Sequence, residues 1–381
     1  MLRFLIVIYA ALACLSPLEA QRGKNADSIS TQLEKQQYDL STDGKQFLLS
    51  EGRQASFFLL GELHGENEIP ALLRELWPQM WRDGYRNIAA EVSPWAAAQL
   101  EFAPANGGPK IQGLWSKDEA QFVHSFSNSR RPVLWGCDID EMQPHFMIRE
   151  LAARNPHIPA LREIVEMTKT GYDRTMAPEL LKLAKGARDI KDETINDSSL
   201  YENVVATLEV EVDRFNQARL SASLRRESLM KNLFLVHYEK NGRTGLQPKI
   251  FLRLGRNHLH RGYDRRGVST LGNFVAEFAL AHHKTSFHIA AFAAGGRGFL
   301  AGKPFEADER QDDPAFELLA SVARYPATVF DLRPLRSILH QTPDKDRSDA
   351  WKSLIYWADS YDAIICYREV TPLEDPPSTL H

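Results

Sequence analysis

The stretch that decides the fold is Phe57-Phe58-Leu59-Leu60-Gly61-Glu62-Leu63-His64-Gly65, an apolar run that passes at once into polar residues. Consecutive apolar residues that end at such a loop predict a strand buried on both faces, as in a parallel sheet. Sheets of this kind place their ligands outside the carboxyl ends of the strands. Glu62 and His64 stand at that position, and histidine can act as base, acid or metal ligand near neutral pH.

Further runs downstream have the composition of buried strands, and stretches of helical periodicity separate most of them. This alternation predicts an α/β fold with a mainly parallel sheet of about seven strands and helices on both faces. The predicted strands are 57–60, 87–92, 132–138, 249–254, 287–292, 327–331 and 362–366. Residues 147–240 keep only helical spacing and predict a helical insertion. We therefore expect a single α/β domain over 46–372, between a polar lead-in at 21–45 and a tail at 373–381.

The first twenty residues have the layout of a secretory signal peptide. Arg3 supplies a positive charge, Phe4–Ala13 is almost uninterruptedly apolar, and the small residue Ala20 precedes the expected cut. This layout predicts a secreted or periplasmic protein. An alternative interpretation takes Ala11-Leu12-Ala13-Cys14 as a loose lipobox, which predicts a lipid anchor at Cys14. A membrane span needs about twenty apolar residues, so we expect no transmembrane span in the mature chain.

Charge and cysteine usage exclude several classes of function. A formal net charge of −4 over 381 residues gives no basic footprint, so we expect no nucleic-acid partner. The three cysteines, Cys14, Cys137 and Cys366, have no spacing typical of a zinc knuckle or a redox pair. In an oxidising compartment, a disulfide between Cys137 and Cys366 stays an alternative to two buried thiols.

Polar residues follow several predicted strands at their carboxyl ends. Glu91 ends the second strand, and Asn257-His258-Leu259-His260-Arg261-Gly262 follows the fourth. Because parallel strands end at one edge, we expect these groups to meet there: Glu62 and His64, Glu91, Asp138 and Asp140, and Asn257, His258, His260 and Arg261. A histidine beside carboxylates is held in one tautomer and made more basic, which suits the activation of water.

Structural interpretations compete with these assignments. Glu62 also suits a helix cap, His64 a satisfied loop histidine, and Glu91 a structural ion pair. Turn formation or helix capping explains Asp138 and Asp140, after the third strand, equally well.

Other reaction chemistries also have to be weighed. Glu62, His64, Glu91 and His258 have the atom types of a divalent-metal site, but the chain has no His-Glu-x-x-His signature, so we predict no metal cofactor. It also lacks a Gly-x-Ser-x-Gly elbow, which disfavours a serine nucleophile. Within its segment His258 is the stronger candidate, since we expect His260 to face solvent.

The motifs and their order resemble the erythromycin esterase-like proteins, which belong with the haem-binding ChaN-like and Tiki proteins. The matching segments are Leu60–Gly65, Glu91 after Ala89-Ala90, Arg226–Asn232, Gly255–Gly262, Tyr361–Ile365 and Val370–Pro372. The resemblance implies that His64, Glu62, Glu91 and His258 form a hydrolytic site with Arg226 nearby. One departure is the single residue between Glu62 and His64, where the macrolide esterases of the family have two.

These observations together predict an exported, metal-independent hydrolase that cleaves an ester or lactone of a small molecule. The catalytic candidates are His64, Glu62, Glu91 and His258. The substrate-binding candidates are Arg226, Asn257 and Arg261. In this hypothesis a histidine acts as general base on water, and the glutamates orient and polarise the imidazoles. The alternatives are a non-catalytic protein of the ChaN-like type that binds haem or another small ligand, and a metallopeptidase of the Tiki type.

Overall fold

The computed structural model describes residues 29–102, 114–127, 132–140, 144–188, 195–242, 249–341, 343 and 347–373. The expected signal peptide with Cys14, the start of the polar lead-in and almost all of the tail lie outside these ranges. Among the helices that are described, none combines the length and the apolar character needed to cross a bilayer.

One mainly parallel sheet of nine strands organises the described part of the chain. The strands are β1 Gln37–Asp39, β2 Phe57–Glu62, β3 Tyr85–Ala90, β4 Leu134–Gly136, β5 Lys249–Gly255, β6 Ser286–Leu300, β7 Lys303–Asp308, β8 Ala327–Asp331 and β9 Ala363–Tyr367. Their order is β1-β8-β9-β6-β2-β5-β3-β4, and β7 pairs with β6. The block from β9 to β4 is parallel, whereas β1, β7 and β8 lie antiparallel to their neighbours.

The predicted α/β class and the mainly parallel sheet are confirmed. Each predicted strand is present, as β2, β3, β4, β5, β6, β8 and β9, but two strands were missed. The edge strand β1 has only three residues, too few for a periodic pattern. The other, β7, pairs with an extension of β6 through Ala293–Leu300, where three glycines hide the apolar pattern of a strand.

Helices cover the sheet and also form the insertion. They are α1 (helical residues 29–35), α2 Lys45–Gln54, α3 Glu68–Arg82, α4 Pro94–Phe102, α5 Lys117–His124, α6 Pro144–Arg154, α7 Pro159–Met167, α8 Ala177–Arg188, α9 Ser198–Phe215, α10 Arg219–Gly242, α11 Arg256–Leu259, α12 Leu271–Ala281, α13 Pro314–Val322, α14 Arg336–Gln341 and α15 Asp349–Ser360. The insertion consists of α6 to α10, which lie between β4 and β5 along the chain.

The central strand β2 shows why the chain needs helices on both faces of the sheet. Phe58 and Leu60 pack in a core shared with α3 and α5, while Phe57 and Leu59 pack in a second core with α10 and α12. Side chains alternate along a strand, so an uninterrupted apolar run has to be covered on each side.

Parallel register then sets the position of the polar residues. Glu62 at the end of β2 is level with Gly255 at the end of β5, and Ala90 at the end of β3 pairs with Arg253 of β5. The segments that follow these strands therefore leave the sheet at one edge, as the sequence predicted.

Both cysteines that the structure describes are buried free thiols. Cys137 and Cys366 are unpaired, so the disulfide alternative is not formed. Burial raises the pKa of both thiols, that of Cys366 to about 12.

Glu66 is a buried carboxyl group in the loop between β2 and α3. It is 2 % exposed, and neither carboxyl oxygen has a hydrogen-bond partner among the described residues. Burial, with Glu309 and Glu68 nearby, raises the pKa of Glu66 from 4.5 to about 9. The group is therefore neutral at pH 7 in the folded protein and ionised in the unfolded chain.

We expect Glu66→Gln to stabilise the protein increasingly as pH rises above 5. Between the unfolded and folded pKa values the unfolded chain releases a proton that the folded protein keeps, so Glu66 lowers stability by up to about 1.4 kcal/mol per pH unit. Glutamine removes this pH dependence. Urea unfolding of both proteins at pH 5, 7 and 8 measures it, and a stability difference that stays constant with pH would contradict the assignment.

Candidate active site

The candidate site lies at the carboxyl edge of the sheet, where β2, β3 and β5 end. Glu62 is the last residue of β2, and His64 lies in the loop behind it. Glu91 directly follows β3, and His258 lies in the short helix α11 that follows β5. The insertion adds Arg226 from α10.

Glu91 is the centre of the site. Its Oε2 lies 3.4 Å from His64 Nε2, and its Oε1 lies 3.3 Å from His258 Nε2. Arg226 Nη2 donates to Oε1 at 2.8 Å, and the backbone N–H of Gly255 donates to Oε2 at 2.6 Å. One buried carboxylate thus holds two imidazoles, a guanidinium and the end of β5.

A second carboxylate faces the far side of each imidazole. Glu62 Oε1 lies 3.3 Å from His64 Nδ1, and Glu227 Oε1 lies 2.5 Å from His258 Nδ1. Carboxylates and imidazoles therefore alternate, in the order Glu62, His64, Glu91, His258, Glu227. We call these five residues the Glu-His chain.

The Glu-His chain makes both histidines strongly basic. Burial lowers the pKa of His64, but Glu91 and Glu62 outweigh it and raise this pKa to about 10. Burial likewise lowers the pKa of His258, and Glu91 and Glu227 raise it to about 10. Burial raises the pKa of Glu91, but the two histidines hold it well below its usual range. Each charged form is stabilised by its neighbours.

Arg226 connects the Glu-His chain to β4. Besides Glu91 it binds Asp138, with its Nε 2.9 Å from Asp138 Oδ1 and its Nη2 2.5 Å from Oδ2. Asp138 Oδ1 also accepts the backbone N–H of Ile139 at 2.7 Å. Asp138, for which the sequence left a turn or a helix cap as the alternative, therefore belongs to the site and orients Arg226.

A cavity of about 300 Å³ opens beside these residues. Its lining is partly polar and partly apolar. The polar lining consists of His64, Glu91, Ser93, Asp138, Asp140, Arg226, Asn257, His258 and Arg266. The apolar lining consists of Val92, Ala96, Leu114, Ile139 and Leu300.

The structure brings most, but not all, of the predicted site residues together. His64, Glu91, His258, Arg226 and Asn257 line the cavity, and Glu62 lies behind His64. Arg261 lies elsewhere.

Arg261 lies at the opposite edge of the sheet. Its Nη2 binds Asp362, just before β9, at 2.5 Å, and reaches the carbonyl of Ser286, the first residue of β6, at 3.5 Å. His260 is buried rather than facing solvent. After α11 the chain runs back towards the amino ends of β6 and β9. The spacing of residues within the segment does not predict this change of direction.

The sequence analysis missed Glu227, which belongs to the Glu-His chain, and Arg253, whose Nε donates to Glu62 Oε2 at 2.6 Å. A signal for Glu227 was present, because it follows Arg226 within the helical motif. A signal for Arg253 was also present, since it is a charged residue inside the otherwise apolar strand β5.

Metal binding at this site has no support from the donor atoms. Among the residues that the structure describes, no group of three or more His, Cys, Asp or Glu side chains is arranged to hold a metal ion. Each ring nitrogen of His64 and His258 faces a carboxylate instead.

Comparison with known proteins identifies the fold. No protein-family model and no curated protein matches the chain in sequence. A Bacillus cereus protein from a structural genomics programme superposes with a TM-score of 0.59 at 14% identity, over 92% of this chain and 99% of its own. A succinoglycan biosynthesis protein superposes with a TM-score of 0.57 at 15% identity, over 91% and 97%. A mutant of the erythromycin esterase EreC in its open conformation gives 0.55 at 16% identity, over 90% and 96%.

The chain has the erythromycin esterase-like fold. The resemblance predicted from the sequence motifs is thereby confirmed at the level of fold. At identities of 14% to 16% the superpositions show the fold alone.

Gly255 is the position where the site leaves no room for a side chain. A Cβ atom there would lie 2.9 Å from His64 Nε2 and 3.1 Å from Glu91 Oε2. Gly186 in α8 is a suitable control, because a Cβ at that position meets nothing within 4 Å.

We expect Gly255→Ala to separate His64 from Glu91 and so to lower the pKa of His64 by at least about one unit. Histidine NMR titration of the purified variant measures this. Gly186→Ala should leave the titration unchanged. If Gly255→Ala folds and His64 titrates as in the wild type, the close contact at Gly255 is wrong.

Proposed function

We propose that this protein is a hydrolase that activates water with histidine and glutamate to cleave an ester or lactone of a small molecule. The position of Glu91 between two imidazoles, beside a cavity of about 300 Å³, carries this proposal. The superposition on an erythromycin esterase agrees with it at the level of fold only. The N-terminal sequence supports action outside the cytoplasm.

His64 is the better placed of the two general bases. Its side chain is 23% exposed and lines the cavity, whereas that of His258 is 9% exposed. In the neutral imidazole, Nδ1 keeps its proton towards Glu62, and Nε2 takes the proton of a water in the cavity. Glu91 then stabilises the imidazolium that forms.

Ester hydrolysis also requires stabilisation of the carbonyl oxygen, and the side of Glu91 away from His64 carries positive charge that suits this. Attack of water on the carbonyl carbon places negative charge on the carbonyl oxygen. His258 and Arg226 both line the cavity and place positive charge beside that oxygen. Water donates its proton to His64, which returns it to the leaving alkoxide as the acyl–oxygen bond breaks.

The cavity also limits the substrate. Its volume is at the lower end of the range of about 300–1,000 Å³ for small-molecule sites, which suits a compact ester or lactone. The apolar lining residues, among them Leu114, Ile139 and Leu300, suit a hydrocarbon part of such a molecule.

Haem binding without catalysis has less support. An axial histidine binds iron through an unprotonated ring nitrogen. The flanking carboxylates raise the pKa of His64 and His258 to about 10, which keeps both ring nitrogens protonated at neutral pH. A Soret shift on adding haem to the purified protein, lost in a His64→Gln variant, would favour that alternative.

We expect Glu91→Gln to lower kcat/KM for ester hydrolysis at least about 100-fold, because the loss of the charge that stabilises both imidazolium ions in the transition state outweighs the larger neutral fraction of His64. The assay is a screen of p-nitrophenyl esters and lactones on the mature protein, with and without chelator. Glu179→Gln, a surface change in α8, is the control. Retained turnover in a folded Glu91→Gln variant would refute the assignment, and loss of wild-type turnover with chelator would favour a metalloenzyme.

The rate should also rise with pH. A base has to be neutral, and below a pKa of about 10 the neutral fraction of His64 falls tenfold per pH unit. We therefore expect kcat/KM to rise about tenfold per unit from pH 6 to 9, after subtraction of spontaneous hydrolysis. A profile that levels off near pH 7 would mean that His64 is not held between ionised carboxylates.

A further inference from the structure

We infer that Arg253, a residue outside the cavity lining, positions Glu62 against His64, and that Glu119 holds Arg253 in place. The effect on turnover rests on the proposed function, whereas the effect on His64 itself does not.

Arg253 is a charged residue in an apolar layer. It lies on β5 between Leu60 of β2 and Ala90 of β3, and it is 3% exposed. Phe251, two residues earlier on the same face, belongs to the hydrophobic core. Burying a guanidinium there is costly unless ion pairs and hydrogen bonds compensate it.

The guanidinium is compensated on every side. Its Nε donates to Glu62 Oε2 at 2.6 Å, and its Nη1 pairs with the Glu119 carboxylate. Its Nη2 donates to the carbonyl of Leu114 at 2.9 Å, and its Cζ lies over the Trp115 ring, 4.6 Å from the ring centre. One side chain therefore joins Glu62 to α5 and to Leu114, which lines the cavity.

The contact with Glu62 sets which oxygen His64 meets. Arg253 takes Oε2, so Oε1 is the atom left to face His64 Nδ1 at 3.3 Å. Without Arg253 the Glu62 carboxyl group is free to rotate, and rotation weakens its contact with the imidazole. Arg253 acts on His64 only through Glu62, which makes it a positioning residue.

Glu119 shows that the network is more than a helix cap. The sequence Ser116-Lys117-Asp118-Glu119 predicts a capping box, and Ser116 Oγ does accept the backbone N–H of Glu119 at 3.1 Å. In a complete capping box the Glu119 carboxylate would return to the cap residue. Here it binds Arg253 instead and is fully buried. An ion pair so deeply buried adds little stability over apolar packing, which favours an orienting role.

The test uses Arg253→Lys and Glu119→Gln, with Glu101→Gln as matched control. Lysine keeps the charge but cannot bind Glu62, Glu119 and the Leu114 carbonyl in one plane. In Glu119→Gln, Glu62 is the one carboxylate that still pairs with Arg253. Glu101 is also buried, but its carboxylate accepts the backbone N–H groups of Val133 and Leu134.

The first readout is the pKa of His64, measured by NMR on histidine-labelled protein and assigned with a His64→Gln variant. We expect it to fall by at least about one unit in Arg253→Lys and in Glu119→Gln, and to stay unchanged in Glu101→Gln. If Arg253→Lys does not fold, Glu119→Gln alone decides. An unchanged His64 pKa in a folded Glu119→Gln variant overturns the inference.

The second readout is the split between kcat and KM. After division by the neutral fraction of His64 that the measured pKa gives, we expect kcat to fall about 10- to 100-fold with KM nearly unchanged, because the base is misplaced while the cavity lining is kept. Wild-type kcat in both folded variants overturns the positioning role and leaves the proposed function standing. If the wild-type protein hydrolyses no ester or lactone, the proposed function fails, and the His64 titration still decides the role of Arg253.

Discussion

The four-donor contact of the Glu91 carboxylate is the interaction on which the site depends. It binds His64, His258, Arg226 and the backbone of Gly255, and these come from the loop after β2, from α11, from α10 and from β5. Without the ionised carboxylate, two cationic imidazoles and a guanidinium would face one another in a poorly solvated place. The parallel register of β2, β5 and β3 makes the contact geometrically available, since it brings the three strand ends level.

Around that contact, buried acidic and basic side chains alternate, so that each charge lies beside an opposite charge. The Glu-His chain ends at Glu62 and Glu227, and each end is tied into the fold. Glu62 is held by Arg253, and Glu227 accepts the backbone N–H of Leu271, the first residue of α12. Each acid therefore has a donor on both sides, so the cost of burial is met by hydrogen bonds and ion pairs. The same arrangement makes the histidines basic, and this links the stability of the site to its proposed chemistry.

Prediction from the sequence succeeded where one local pattern determines the outcome. Uninterrupted apolar runs that end in glycine or charge identified the main strands, because such runs suit only a sheet buried on both faces. Their order also identified the edge at which His64, Glu91 and His258 meet. The pattern failed for β7 and the end of β6, which form an antiparallel ribbon whose glycines and exposed residues carry no apolar period. It failed for Arg261 as well, since a residue three positions beyond His258 lies at the other edge of the sheet.

The sequence by itself therefore determined the class of fold, the strands of the parallel block and the residue types gathered at its carboxyl edge. These follow from periodicity and from parallel topology, which are properties of neighbours along the chain. Only the tertiary structure decided the partners: that Glu91 lies between the histidines, that Glu227 and Asp138 complete the network, and that Arg253 turns Glu62 towards His64. Hydrogen bonds between side chains distant in sequence depend on distances of a few tenths of an ångström, and no local pattern encodes these.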